Sequence, residues 1–385
     1  MTMKIEDIKN IAVIGAGDMG HGIAEVALIA GYKVFLRDIN QEFVDRGVGR
    51  IHESLEKLVS KEKVTAAHHE KIRSELLVPC TDLVAAVESA DLVIEAIPEI
   101  MDLKKETFEA IEKAAPANAL FASNTSTMKI TEIASVTNRP DKVLGLHYFN
   151  PAVLMKLVEV IRGDNTSEET MEIGYQFVLN NGKVPVRVQK DVPGFIVNRV
   201  QAPAGVYLNC ILDEGIAPPE AVDALMRNLG MPMGPFETMD YTGLDINYHA
   251  AKYFAETIHP DFAAGKTVKA KVEAGDLGKK SGKGLFDWSN GRPEIDLEKA
   301  TDKVDPMNFI AVNFNEAAKI VEMGVCSFED VDTAIINATG NPLGLVAVAR
   351  QMETTDLINR LESLAAQFNK EIFKPSETIK TGGYK

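Results

Sequence analysis

Apolar positions in the first half of the chain fall in short unbroken runs, not in alternation. The runs at 11–15, 33–38, 91–97, 120–125, 143–149 and 157–161 are rich in Val, Ile and Leu. Runs of that kind suit strands buried on both faces, as in a parallel sheet covered by helices. The segments 38–91, 101–116 and 127–138 carry helical composition. Together they give the strand–helix–strand rhythm of a doubly wound α/β fold. Segment 41–71 is long, charged and helical, more than a crossover requires, and is expected to project as an arm.

Beyond about residue 190 strand signals fade, and helical runs broken by Gly and Pro take over. The join falls at Gln189-Lys190-Asp191-Val192-Pro193-Gly194, which reads as a linker or hinge. An internal repeat follows. Glu214-Gly215-Ile216-Ala217 resembles Met323-Gly324-Val325-Cys326, and Glu220-Ala221-Val222-Asp223 resembles Glu329-Asp330-Val331-Asp332 at the same offset of 109. Gly230-Met231-Pro232-Met233-Gly234 resembles Gly340-Asn341-Pro342-Leu343-Gly344, one residue further on. Three matches in order, nearly in register, indicate a duplicated helical unit. A glycine- and lysine-rich loop, Gly278-Lys279-Lys280-Ser281-Gly282-Lys283-Gly284, lies between the copies. The expected domains are therefore a doubly wound unit over 1–189, a helical unit over 190–290, and a second, degenerate helical copy over 291–385.

Composition narrows the class. With 385 residues, 45% hydrophobic and 25% charged, the chain reads as a folded protein of two or three domains, not a collagen, a coiled-coil rod or a disordered chain. A net charge of −15 matches nucleic acid and anionic membrane poorly, so neither is expected as a partner. It leaves room for a local basic pocket. Cys80, Cys210 and Cys326 lie far apart with no metal-ligand spacing. They read as packing thiols in a reducing compartment, and no metal site is expected. No run reaches the roughly 18 apolar residues of a membrane span. The start, Met-Thr-Met-Lys-Ile-Glu-Asp, has acids where a leader would be basic and then apolar, so the cytoplasm is the expected location.

The first strand runs into Gly15-Ala16-Gly17-Asp18-Met19-Gly20 and then a helix opening at His21. Gly15 permits the tight turn, Gly17 lets a pyrophosphate approach the backbone, and Gly20 lets helix and strand pack closely. The helix N-terminus offers free N–H groups and its positive dipole end to the anion. Eighteen residues past Gly20, at the end of the next strand, stands Asp38. Its carboxylate can accept both adenosine ribose hydroxyls and would repel a 2′-phosphate. A Rossmann-type site for NAD, in preference to NADP, is expected. Arg37 is the complication: swung toward the ribose, it would tolerate the phosphate.

Of seven histidines, His147 is singled out by its place at the end of a predicted buried strand, where ligands bind in open α/β sheets. Twelve residues on, Glu159 sits inside the apolar run Leu157-Val158-Glu159-Val160-Ile161. A carboxylate there is costly unless paired, and His147 is its natural partner. Such a pair fixes the imidazole tautomer and raises its basicity, which suits removal of a hydroxyl proton during hydride transfer.

These segments resemble the 3-hydroxyacyl-CoA dehydrogenase family, most of all its short-chain 3-hydroxybutyryl-CoA members. The resemblance is carried by Gly15–Gly20, by Leu36-Arg37-Asp38-Ile39 with Glu42-Phe43-Val44-Asp45-Arg46-Gly47, and by Val93-Ile94-Glu95-Ala96 with Glu99. Ser123-Asn124-Thr125-Ser126, His147-Tyr148-Phe149-Asn150-Pro151, Lys156-Leu157-Val158-Glu159-Val160-Ile161 and Pro193-Gly194-Phe195-Ile196-Val197-Asn198-Arg199 follow. Pro232-Met233-Gly234-Pro235 and the 278–284 loop complete it. It covers roughly residues 5–290, and the remainder resembles the second helical copy of longer members.

The resemblance implies roles. His147 would be the general base and Glu159 its orienting carboxylate, with Ser126 and Asn198 bonding the substrate's C3 oxygen. Neutral donors there suit a developing alkoxide. Gly15, Gly17, Asp18, Met19, Gly20, Asp38, Glu99, Lys104, Ser126 and Lys280 would serve NAD, Lys104 and Lys280 as surface lysines. Ser54, Lys61 and Asn150 would meet CoA. Ser54 and Lys61 lie seven apart, two helical turns, and so share one face of the arm, along which Lys57 also lies. Thr127 replaces a second serine and keeps the hydroxyl. Near Asn308-Phe309-Ile310-Ala311 the second copy lacks the Asn-Arg pair, so it reads as structural. The expected activity is reversible hydride transfer between a short 3-hydroxyacyl-CoA and its 3-oxoacyl-CoA. The alternatives are an NADP-preferring form, a dehydrogenase of free hydroxy acids, and a non-catalytic NAD-binding protein on the same fold. Single-copy relatives pair through their helical domains. The duplication predicts a monomer, or a homodimer formed differently.

Overall fold

An eight-stranded sheet frames the first part of the molecule, in a computed structural model that describes residues 4–385. Its strands are β1 (Asn10–Ile14), β2 (Lys33–Arg37), β3 (Leu77–Cys80), β4 (Leu92–Glu95), β5 (Leu120–Ser123), β6 (Val143–Tyr148), β7 (Leu157–Arg162) and β8 (Val184–Val188). Across the sheet the order is β3-β2-β1-β4-β5-β6-β7-β8. Strands β1 to β6 are parallel, β7 is antiparallel to β6, and β8 runs parallel to β7. The six expected strands are present. β3 and β8 were not anticipated. They form the two edges and carry Pro79 and Pro185, a residue that sheets tolerate at their edges.

The helices between them are α1 (Gly20–Ile29), α2 (Gln41–Ser60), α3 (Ala66–Lys71), α4 (Leu83–Val87), α5 (Met101–Ala114), α6 (Ile130–Ala134) and α7 (Glu168–Asn180). Asn40 starts α2 by accepting the Phe43 N–H at 2.9 Å, a cap of the kind that stabilises by about 1 kcal/mol. The expected arm is docked: Val44, Gly47, Ile51 and Leu55 are buried, and Ile51 and Leu55 join the core beside the sheet. It is also two helices, because α2 ends at Ser60 and Glu62 takes a left-handed conformation before α3 begins. Lys61 is the C-cap, so it does not share a continuous helical face with Ser54.

From residue 197 the chain is helical: α8 (Val197–Asp213), α9 (Pro219–Asn228), α10 (Pro235–Thr242), α11 (Leu244–Thr257), α12 (Lys266–Glu273), α13 (Met307–Glu322), α14 (Phe328–Thr339), α15 (Leu345–Ala349), α16 (Thr354–Phe368) and α17 (Glu377–Thr381). No helix among the described residues is long and apolar enough to cross a membrane. The chain divides into two compact units. One holds the chain up to Ile196 together with Gly324–Gly344; the other holds Val197–Met323 and Leu345–Lys385. The segment expected as a hinge is fixed within the first unit. Thr131 N–H and Oγ1 both donate to Asp191, each at 2.6 Å, Gly194 N–H donates to Thr127 O, and residues 191–196 are buried.

In the second unit the duplication is visible as chemistry. Asp213 at the end of α8 accepts the Lys266 and Thr267 N–H groups that open α12. At the end of α13, Glu322 accepts the Thr378 N–H that opens α17. The two copies pack α8 on α13, and a buried Arg199–Glu316 pair joins them. Helix α13 ends 109 residues after α8, the offset of the repeat, which places Met307 opposite Asn198 and Asn308 opposite Arg199. Asn308 is engaged in the fold, donating to Tyr207 Oη and accepting from Arg360.

Candidate active site

The glycine turn closes as its residues require. Gly15 has φ +106, and a Cβ there would stand 2.5 Å from Ala96 O; a Cβ on Gly20 would stand 1.8 Å from Gly15 O. Gly17 faces open space. The turn is thus shut on its protein side and open where an anion would approach. Asp38 Oδ2 accepts the Ala16 N–H at 2.7 Å, which brings its carboxylate to the rim of the turn. Arg37 Nε donates to Thr81 O at 3.0 Å. The residues present therefore fit NAD: an open backbone face for the pyrophosphate and a carboxylate for the ribose. Arg50 of α2 pairs with Asp18 of the turn, a contact that sequence reading missed.

His147 and Glu159 are direct cross-strand partners in the antiparallel β6–β7 register. His147 Nδ1 is 2.6 Å from Glu159 Oε2, with His147 5% and Glu159 0% exposed. A carboxylate accepts, so Nδ1 carries the hydrogen and Nε2 is left as the basic nitrogen. The Ile196 N–H donates to Glu159 Oε1 at 3.0 Å. It is aimed by a tight turn in which Gly194 (φ +76) and Phe195 (φ +53) are both left-handed. That conformation costs a non-glycine residue about 1 kcal/mol or more. Phe149 and Phe195 flank the imidazole, with ring centroids 4.4 and 5.9 Å away.

The Ser126 loop is held by a charge relay from β4. Glu95 accepts from Ser123 Oγ at 2.6 Å, from Ile97 N–H at 2.8 Å and from Lys104 Nζ at 2.7 Å. Lys104 Nζ also lies 3.2 Å from Glu99 Oε2. Glu99 Oε1 in turn accepts the Ser126 N–H at 2.9 Å and Thr125 Oγ1. Burial alone would raise the Glu99 pKa. The Lys104 ammonium, the Thr125 hydroxyl and the Ser126 amide outweigh it and hold the carboxyl below its usual range. Lys104 is not a surface lysine: its side chain is 1% exposed, with its ammonium on protein carboxylates. A buried Glu95 beside it was the available signal, since a strand carboxylate needs a cation.

Ser54 is half-buried on α2, Lys61 is exposed at its end, and Asn150 is exposed after β6, joined to Pro151 by a cis peptide bond. Asn198 and Lys280 belong to the second unit. Asn198 is partly buried in the first turn of α8. Lys280 pairs with Asp245. Sequence reading missed Asp240, a fully buried carboxylate that gathers the 278–288 loop. It accepts the Leu285 and Phe286 N–H groups and Trp288 Nε1 at 2.9, 2.8 and 2.9 Å.

A nucleotide cradle and a carboxylate-oriented imidazole at the same end of one doubly wound sheet define an NAD-linked oxidoreductase. Known proteins narrow the class. The family model described as 3-hydroxyacyl-CoA dehydrogenase, NAD binding domain, matches residues 10–192. The model for the C-terminal domain of that enzyme matches residues 194–288 and 308–382. The chain belongs to the 3-hydroxyacyl-CoA dehydrogenase family. It is 40% identical over 305 residues, 78% of its length, to a 3-hydroxyadipyl-CoA dehydrogenase of Escherichia coli, and spans 64% of that protein. It is 41% identical to a probable 3-hydroxybutyryl-CoA dehydrogenase of Bacillus subtilis, over 73% of this chain and 98% of the other. The crystal structure of a 3-hydroxybutyryl-CoA dehydrogenase from E. coli superposes with a TM-score of 0.88 at 31% identity, covering 98% of this chain and 100% of that one.

Proposed function

We propose that the protein interconverts short-chain (S)-3-hydroxyacyl-CoA and 3-oxoacyl-CoA, of the 3-hydroxybutyryl type, with NAD preferred over NADP. The observation that carries this is the buried His147–Glu159 pair, 2.6 Å apart, in the same unit as the glycine turn and Asp38. Bound NAD supplies the hydride acceptor. His147 Nε2 takes the C3 hydroxyl proton as the C3 hydride leaves, and Glu159 steadies the imidazolium so formed. Ser126 and Asn198 donate to the C3 oxygen, Glu99 and Lys280 contact the cofactor, and Lys104 serves it through Glu99. Ser54, Lys61 and Asn150 meet the CoA. NAD over NADP is supported by Asp38 facing the turn while Arg37 is tied to Thr81. As sequence units the chain comprises an NAD-binding domain over 1–189 and helical copies over 190–290 and 291–385. It works in the cytoplasm as a monomer, or as a dimer not built on the single-copy pattern.

The test is oxidation of NADH, and separately NADPH, by acetoacetyl-CoA. Rapid loss of NADH with slow loss of NADPH is expected. Binding of NADH with no turnover would overturn the reading in favour of a non-catalytic protein, and turnover of acetoacetate alone would favour a free-acid enzyme.

A further inference from the structure

Helix α14 belongs to the second helical copy by sequence, yet it packs in the first unit, against β7 and β8. The register shows which face it covers, because side chains alternate between faces along a strand. Leu144, Leu146 and Val160 point at α7: a Cβ on its Gly174 would lie 2.3 Å from Leu144, 3.5 Å from Val160 and 3.7 Å from Leu146. His147, Glu159 and Ile161 therefore point to the opposite face, and Val186, paired with Glu159, points with them. Because α7 packs on β6, β7 and β8 from the first face, α14 lies on the Glu159 face. The chain enters α14 on a tether, Val325 O accepting the Gln189 N–H at 2.8 Å just past β8. Ser327 and Asp330 then cap the helix reciprocally. Val325, Val331 and Ala334 are fully buried, and Cys326 and Ile335 nearly so. Burial first, and then the charges of Asp330 and Glu159, push the Cys326 thiol up.

We propose that residues 325–335 of the second copy are a positioning element for the catalytic pair, sealing the Glu159 face of β7–β8 against water and so holding Glu159 on His147. A polar group admitted beside that carboxylate would compete for its oxygens in a medium of low dielectric. The second copy thus acts on the chemistry without carrying a second active site. This inference rests on the dehydrogenase reading above.

The experiment compares Cys326→Ala, Cys326→Thr and Cys326→Asp, each assayed with acetoacetyl-CoA and NADH and titrated for NADH binding by fluorescence. Cys326→Ala keeps kcat within about twofold. Cys326→Asp loses about tenfold or more in kcat, as small displacements of a catalytic group do, with the KM for NADH and the NADH stoichiometry unchanged. Should the Asp variant not fold, Cys326→Thr decides on the same readout, with a severalfold loss in kcat expected. Wild-type kcat in a folded Asp variant, or in the Thr variant where Asp fails to fold, overturns the inference. A merely structural role would lower stability and binding stoichiometry together while leaving kcat per bound NADH intact. Wild-type protein inactive with acetoacetyl-CoA would overturn the dehydrogenase reading itself, so the two failures are distinguishable.

Discussion

Lys104 Nζ stands between two carboxylates, 2.7 Å from Glu95 Oε1 and 3.2 Å from Glu99 Oε2. One buried ammonium thereby ties the end of β4 to the loop that holds Ser126. The Ser126 loop is set by electrostatics two side chains removed from it.

Lys104→Met leaves both carboxylates without their cation in a buried site. Breaking such a pair from one side costs about 3–5 kcal/mol, to be read from urea unfolding. The freed Glu99 no longer fixes the Ser126 loop, so kcat falls by more than the KM for NADH rises. A loss confined to NADH affinity, with stability unchanged, would mean that Lys104 meets the cofactor from the surface after all.

His147→Gln removes the proposed base and keeps the shape. Turnover with acetoacetyl-CoA is expected to fall by about 10²–10⁴-fold, the usual contribution of a positioned acid or base. NADH binding by fluorescence is expected to stay within about twofold. Glu159→Gln is the milder change, since the amide oxygen still accepts from Nδ1–H but no longer stabilises the imidazolium. Normal turnover in His147→Gln would end its assignment as the base.

The strands of the cradle and of the His147–Glu159 pair were legible as unbroken apolar runs. Asp38, at the end of one run, and Glu159, inside another, stood out as acids there, whereas Glu95 was passed over although it ends β4 in the same way. The edges were not legible: β3 and β8 are short and carry Pro79 and Pro185, and β3 fell within a stretch read as helical. The reversal between β6 and β7 was hidden because a run buried on both faces looks the same in either direction. Glu25 and Asp240 were missed for another reason. Each sits on a helix where an acid reads as a solvated position, and only the packing makes it a buried one.

The proposed preference for NAD rests on Asp38, which keeps one oxygen on the Ala16 N–H and its charge at the rim of the glycine turn. Asp38→Ser removes the charge that would repel a 2′-phosphate. The ratio of kcat/KM for NADH over NADPH is expected to fall by about tenfold or more, a differential of about 1.4 kcal/mol. Arg37→Ala, by contrast, leaves that ratio near the wild-type value, because its guanidinium is engaged with Thr81 O. A ratio unchanged in Asp38→Ser would remove the carboxylate from the cofactor argument.

Glu25 on α1 is fully buried, and burial pushes its pKa up to about 7 against the pull of the Ser54 hydroxyl and the Lys183 ammonium. The folded protein thus keeps this proton to about pH 7, while the unfolded chain releases it near 4.5. Stability from the protonated group is whole below pH 4.5 and is lost as pH rises through about 7, roughly 3 kcal/mol in all. Glu25→Gln abolishes that titration. The variant is expected to match wild-type stability at pH 5 and to exceed it by about 2 kcal/mol at pH 8. The gain stays below the full amount because the Glu25 charge supports the Lys183 ammonium, whose pKa burial lowers to about 8. That ammonium holds the loop after β6 through the carbonyls of Ala152, Val153 and Met155. Urea midpoints at the two pH values give the answer, and a gap of equal size at both would show that Glu25 is already ionised in the folded protein at pH 5.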